Sequence, residues 1–199
     1  MIATLVAGVV RLVTGCAATH DLGATSAPRV YFANHTSNLD ALVVWASFPE
    51  SERRRCRMVA ARDYWGAGPI RRFISVRALR AILIERHNVT RENNPLVPIC
   101  AALREGAALI IFPEGTRRDD DTPGSFLPGI FHIARDVPGA EFVPVYLENM
   151  NRILPKGEFL LVPIIGSVRF GAPLSRIDGE TKAAFLERAR LAIVALREE

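Results

Sequence analysis

Short apolar runs alternate with longer mixed stretches from residue 29 onward. Residues 29–33 (RVYFA), 57–61 (RMVAA), 81–85 (AILIE), 107–112 (AALIIF) and 141–147 (EFVPVYL) have the length and composition of strands, and 159–169 holds one or two more. The run at 107–112 is apolar without alternation, which predicts a strand buried on both faces. Helical patterning fills the intervals. Residues 39–48 (LDALVVWASF), 126–135 and 180–198 read as helices, and Pro69 opens a short one toward Val76. A further helix carries Leu96, Ile99 and Leu103; Thr90 is its candidate cap, although Pro95 and Pro98 predict a late start. Residues 49–57 read as a charged connector. Strands alternating with helices, with no linker between them, predict a single α/β domain with a mixed, mostly parallel sheet flanked by helices. A short apolar helix precedes it, since residues 1–10 carry no charged side chain.

Composition narrows the class. With 49% hydrophobic and 23% charged residues the chain is globular rather than disordered. Its net charge of +4 comes almost wholly from arginine, the only lysines being Lys156 and Lys182. Arginine makes two-pronged bonds to phosphates and carboxylates, which suits acidic ligands or anionic lipid. Few aromatics interleave with those arginines, which disfavours nucleic acid. Cys16, Cys56 and Cys100 form neither a metal pattern nor an even disulfide set, so no metal is predicted and a reducing compartment fits. Cys56 lies among Arg53, Arg54, Arg55 and Arg57 but opens an apolar run, and is read as structural. In the first segment Arg11 interrupts the apolar residues, and an arginine at the centre of a span costs roughly 2.5 to 3.5 kcal/mol. The reading that remains is a helix lying on a bilayer or packed on the domain, with Arg11 reaching to headgroups.

The chemistry gathers at strand ends. Residues 34–40 (NHTSNLD) break the apolar pattern between a strand and a helix, and open α/β sheets place their ligands at such turns. Thr36 or Ser37 is positioned to cap the helix. On a regular helix, residues five apart point about 140° away from each other, so His35 meets Asp40 only if His35 precedes the first turn. That arrangement is a base held by an acid. A second turn, residues 112–117 (FPEGTR), follows the most apolar strand with a glycine, a hydroxyl and Arg117-Arg118. A third offers Glu85-Arg86-His87. Consecutive Asp119, Asp120 and Asp121 lack the spaced pattern of a calcium loop and read as solvated.

The runs NHTSNLD, IER, FPEGTR and VPV resemble, in that order and at similar separations, the four blocks of the glycerolipid acyltransferases that acylate lysophosphatidic acid. The likeness extends from about residue 29 to 147. It implies transfer of a fatty acyl group from a thioester, on coenzyme A or acyl carrier protein, to the hydroxyl of a lysophospholipid, most naturally 1-acyl-sn-glycerol-3-phosphate. By matching position His35 is the general base and Asp40 orients it. Glu114, Gly115, Thr116 and Arg117 match the acceptor-binding block, and Arg86 the phosphate-contacting arginine. Imidazoles titrate near pH 6.5, which suits a base at neutral pH. A thioester is already activated, so no acyl-enzyme and no cofactor is implied. The second block reads IERHN where the family commonly has a DR pair, so other lysolipid acceptors, such as a lyso-amino-acid lipid, stay open, as does a lipid-binding module without turnover. The expected organisation is a membrane-interfacial helix at 1–20 and an acyltransferase domain at 21–199. The expected location is peripheral, on the cytoplasmic face of the membrane, with membrane lipids and the lysophospholipid acceptor as partners, and acyl carrier protein as a further one where it rather than coenzyme A carries the acyl group.

Overall fold

The apolar runs pair into one sheet because each is too short and too apolar to stand alone in water. The structure is a computed structural model that describes residues 2–16, 25–65, 68, 75–76, 80–85, 89–119, 122–153 and 166–198. In chain order the elements are α1 (Ile2–Thr14), β1 (Arg29–Ala33), α2 (Asp40–Ser47), α3 (Glu50–Arg55), β2 (Cys56–Ala61), α4 (Arg62–Trp65) and β3 (Ile82–Ile84). They continue with α5 (Leu96–Arg104), β4 (Ala108–Ile111), α6 (Gly129–Asp136), β5 (Glu141–Glu148), α7 (Met150–Ile153), β6 (Ser167–Phe170) and α8 (Lys182–Ala195).

Six strands form the sheet in the order β3-β2-β4-β1-β5-β6. Every pair is parallel except β5 with β6, which is antiparallel. The central strands β1 and β4 are buried on both sides, as the unbroken apolar run at 107–112 predicts. Alternation along β1 sends Tyr31 and Ala33 into a core with α1 and α2, and Val30 and Phe32 into one with α5, α6 and α8.

Three local expectations change. The connector at 49–57 contains helix α3, which no apolar period announces. It starts after an extended Pro49, pairs Glu50 with Arg54 one turn on, and has Arg55 bonded to the carbonyls of Thr25 and Ala27. Thr90 closes a small turn with Asn93, while α5 starts only at Leu96, after Pro95. Arg11 does not extend outward. Its guanidinium donates to the carbonyl oxygens of Ala46 (2.6 Å) and Phe48 (3.1 Å), groups that the C-terminal end of α2 leaves without helical partners. The expected helix after Pro69 lies mostly outside the described residues, as does the segment 159–165.

Candidate active site

Because β1 and β4 are adjacent and parallel, the turns that follow them emerge side by side at one edge of the sheet. The turn after β1 is pinned first. The Asn34 carboxamide donates to the Leu147 carbonyl (2.9 Å) and accepts from the Leu147 amide (2.8 Å), tying the turn to β5. His35 then precedes the helix, and Asp40 is the first residue of α2. His35 Nδ1 lies 2.8 Å from Asp40 Oδ2. The same oxygen accepts the amides of Thr36 (2.7 Å) and Ser37 (2.8 Å). The capping expected of Thr36 or Ser37 is thus reversed. The carboxylate inside the first turn is the stronger acceptor, and it reaches back to gather the amides before it. Asp40 is fully buried; all of these donors converge on Oδ2 at the positive end of α2, which offsets the cost of burying the carboxylate, while Oδ1 has no hydrogen-bond partner among the described residues. The two amides on Asp40 Oδ2 make it an acceptor, so the matching tautomer is the one with its hydrogen on Nδ1 and its lone pair on Nε2. The imidazole stacks on Phe112 with centroids 4.1 Å apart and planes 20° apart, and keeps a 22% exposed side chain.

The second turn wraps around the first. Gly115 donates to the Phe112 carbonyl (3.1 Å) with φ +72°, a left-handed conformation; a Cβ there would lie 2.4 Å from Leu127 Cδ1. Glu114 is buried, its Oε1 accepting the His35 amide (3.0 Å) and its Oε2 the Gly124 amide (2.8 Å). Burial pushes the Glu114 carboxyl above its ordinary value, against the opposing pull of those two amides and of Arg118. Arg117 Nη1 donates to Asn38 Oδ1 at 2.5 Å, and the Arg118 amide donates to the His35 carbonyl at 2.8 Å.

A cavity of about 890 Å³ opens over these turns. His35, Asn38, Thr116 and Arg117 line its polar part; Met58, Ile84, Leu96, Ile99, Ile130 and Ile133 line an apolar part running between α5 and α6. The structure therefore brings His35, Asp40, Gly115, Thr116 and Arg117 together, with Asp40 behind the histidine. Glu114 stands behind the wall, its carboxylate on backbone. Arg86 and His87 lie outside the described residues. Sequence reading did not single out Asn34, Asn38 or Phe112. The first two sit inside the polar run at 34–40 and were readable as turn formers, whereas nothing in the run 107–112 marks Phe112 as a platform for an imidazole. Cys56 is fully buried and its thiol is pushed well up, chiefly by burial, which fits a structural role. Among the described residues no group of three or more His, Cys, Asp and Glu is placed to hold a metal ion.

The family model described as Acyltransferase matches residues 17–148. The chain belongs to the acyltransferase family. The acyltransferase match agrees with named relatives. The chain is 27% identical over 140 residues to the chloroplastic 1-acyl-sn-glycerol-3-phosphate acyltransferase LPAT1 of Arabidopsis thaliana, covering 69% of this chain and 36% of that protein. It is 29% identical over 118 residues to a probable 1-acyl-sn-glycerol-3-phosphate acyltransferase of Mycoplasma genitalium, covering 59% of this chain and 42% of that one. The chain thus spans less than half the length of these curated relatives. The crystal structure of the 1-acyl-sn-glycerophosphate acyltransferase PlsC from Thermotoga maritima superposes with a TM-score of 0.78 at 17% identity, over 99% of this chain and 79% of that one. That likeness shows the fold alone.

Proposed function

We propose that this acyltransferase moves a fatty acyl group from an acyl thioester, on coenzyme A or acyl carrier protein, to the free hydroxyl of a lysophospholipid, with 1-acyl-sn-glycerol-3-phosphate as the acceptor. The observation that carries the reading is that His35, backed by Asp40, faces one cavity with an apolar part and a polar part. The apolar part, between α5 and α6, is suited to an acyl chain. Thr116 and Arg117, at the polar part, are suited to an anionic headgroup, to which Arg86 would add a second arginine. The names of the relatives point to the same acceptor.

In this mechanism His35 Nε2 takes the proton of the acceptor hydroxyl as its oxygen bonds to the thioester carbonyl carbon. Asp40 holds Nδ1–H throughout and stabilises the imidazolium that forms. Collapse of the tetrahedral intermediate breaks the carbon–sulfur bond, and the proton passes from Nε2 to the departing thiolate. The ester and a free thiol result, with His35 returned to its starting form. No bond to the protein is made.

The same proposal includes peripheral attachment to the cytoplasmic face of a membrane. Among the described residues no helix is long and apolar enough to cross a membrane. Instead α1 exposes Leu5, Val9 and Leu12, a stripe suited to lie in a lipid surface.

Thiol release from acyl-coenzyme A and from acyl carrier protein, measured with a panel of lysolipids in anionic vesicles, tests the reading. Release that depends on lysophosphatidic acid is expected. Release only with another lysolipid reassigns the acceptor, and no release with any donor or lysolipid removes the enzymatic reading.

A further inference from the structure

We propose that Glu114 is a positioning residue that clamps the main chain of His35, rather than a group that binds the acceptor. Its neighbours in the turn, Phe112, Pro113, Gly115, Thr116 and Arg117, all line the cavity, whereas the Glu114 carboxylate lies behind that wall. Both of its oxygens are already engaged, Oε1 by the His35 amide at 3.0 Å and Oε2 by the Gly124 amide at 2.8 Å, with Arg118 Nε 3.8 Å from Oε2. The opposite main-chain group of the histidine is held from the same place, since the His35 carbonyl accepts the Arg118 amide at 2.8 Å. One turn therefore grips the peptide groups on either side of His35, and its first residue, Phe112, carries the ring on which the imidazole stacks. Asp40 fixes the ring about Nδ1 and the turn fixes where the ring starts. Two N–H donors converging on one carboxylate explain the residue type. A glutamine would set an NH₂ group against one of those amides, and an alanine would leave both without an acceptor in a buried site. Resting as it does on the acyl-transfer reading, the clamp also makes the turn that would receive the acceptor headgroup the one that holds the base.

The experiment compares Glu114→Gln and Glu114→Asp with the parent protein in anionic vesicles, reading kcat and the KM for lysophosphatidic acid, and follows the downfield proton NMR signal of His35 Nδ1–H in the resting protein. The expected result for Glu114→Gln is a fall in kcat of about 10- to 100-fold, the size that a small misplacement of a reacting group produces. The KM stays within twofold, and the Nδ1–H signal shifts or broadens. Glu114→Asp, which keeps charge and both acceptor oxygens, is expected to retain more of kcat, and it carries the test if the glutamine variant does not fold. A KM raised tenfold or more with kcat kept would overturn the clamp in favour of acceptor binding, and an unchanged kcat with an unchanged signal would overturn it outright. If the parent protein transfers no acyl group, the acyl-transfer reading fails, and the NMR comparison still decides the clamp.

Discussion

His35 has one ring nitrogen committed to Asp40 and one left to react, and that division sets what its removal does. Under the proposed mechanism His35→Ala removes the base but leaves the amides of residues 35–37 and their acceptors in place. Turnover is expected to fall about 10²- to 10⁴-fold, the usual contribution of a positioned base. The circular dichroism spectrum and thermal midpoint should hardly move; a loss of only a few-fold in thiol release would take His35 out of the base role. Glu114 gives a pH signature of its own. Burial raises its carboxyl pKa above the ordinary 4.5, so the folded protein holds this proton to higher pH than the unfolded chain does. By linkage its stabilising contribution is full below about pH 4.5 and is lost as pH rises through the raised value. Protonation, however, takes one oxygen out of the clamp. Through this group falling pH therefore favours the fold while loosening His35. Thermal midpoints taken from pH 4.5 to 7 should decline less with rising pH in Glu114→Gln than in the parent; equal slopes would show that the carboxyl is not held up by burial.

At the scale of elements the apolar runs of β1 and β4 are legible because these strands are buried on both faces, and both fall within a residue of the expected bounds. Elements held by charge and by backbone were harder to see. Helix α3 (ESERRR) has no buried residue, so no periodicity could reveal it; ion pairs one turn apart and arginine bonds to distant carbonyls hold it. The helix start itself falls where expected, and the difference lies in which side chain gathers the free amides before α2. A serine or threonine before a helix is the ordinary cap, and only the three-dimensional convergence of amides on Asp40 Oδ2 shows the carboxylate doing that work. The glycine in FPEGTR, by contrast, carried its meaning in the sequence. Gly115→Ala meets two costs: a left-handed φ, worth about 1 to 2 kcal/mol for a residue with a Cβ, and the approach to Leu127 Cδ1. Leu127 is 55% exposed and free to turn away, so the backbone term should dominate. Urea unfolding is expected to show a loss of about 1 to 2 kcal/mol. Adding Leu127→Ala should restore little of it, and full recovery in the double variant would make the clash the main cost.

At the scale of the molecule, the sequence predicted a mostly parallel sheet but not that β1 would lie between β4 and β5, and it is this order that sets the histidine turn beside FPEGTR. Local patterns carry no information about which strand ends become neighbours; the four matched blocks implied it only through resemblance. The first helix shows the same limit. Its apolar character is plain in the sequence, yet its packed side and its exposed side separate only in three dimensions. One side, through Ala7, Thr14 and the Arg11 bonds to Ala46 and Phe48, is built into the support of α2, the helix that carries Asp40. The other presents Leu5 at 70% and Leu12 at 86% exposure. Deleting the helix would remove both sides at once, because hydrogen bonds from a charged group such as Arg11 contribute about 1.5 to 3 kcal/mol each, and of its two acceptors only the Phe48 carbonyl would keep a partner among the described residues, in Arg53. Leu5→Glu with Leu12→Glu separates them. The double variant should keep its thermal midpoint and its turnover on a soluble short-chain acceptor, while losing sedimentation with vesicles of phosphatidylglycerol and phosphatidylcholine and turnover on acceptor held in them. Retained sedimentation would move the membrane contact away from α1, and a collapse of the thermal midpoint would mean that the outer side, too, belongs to the core.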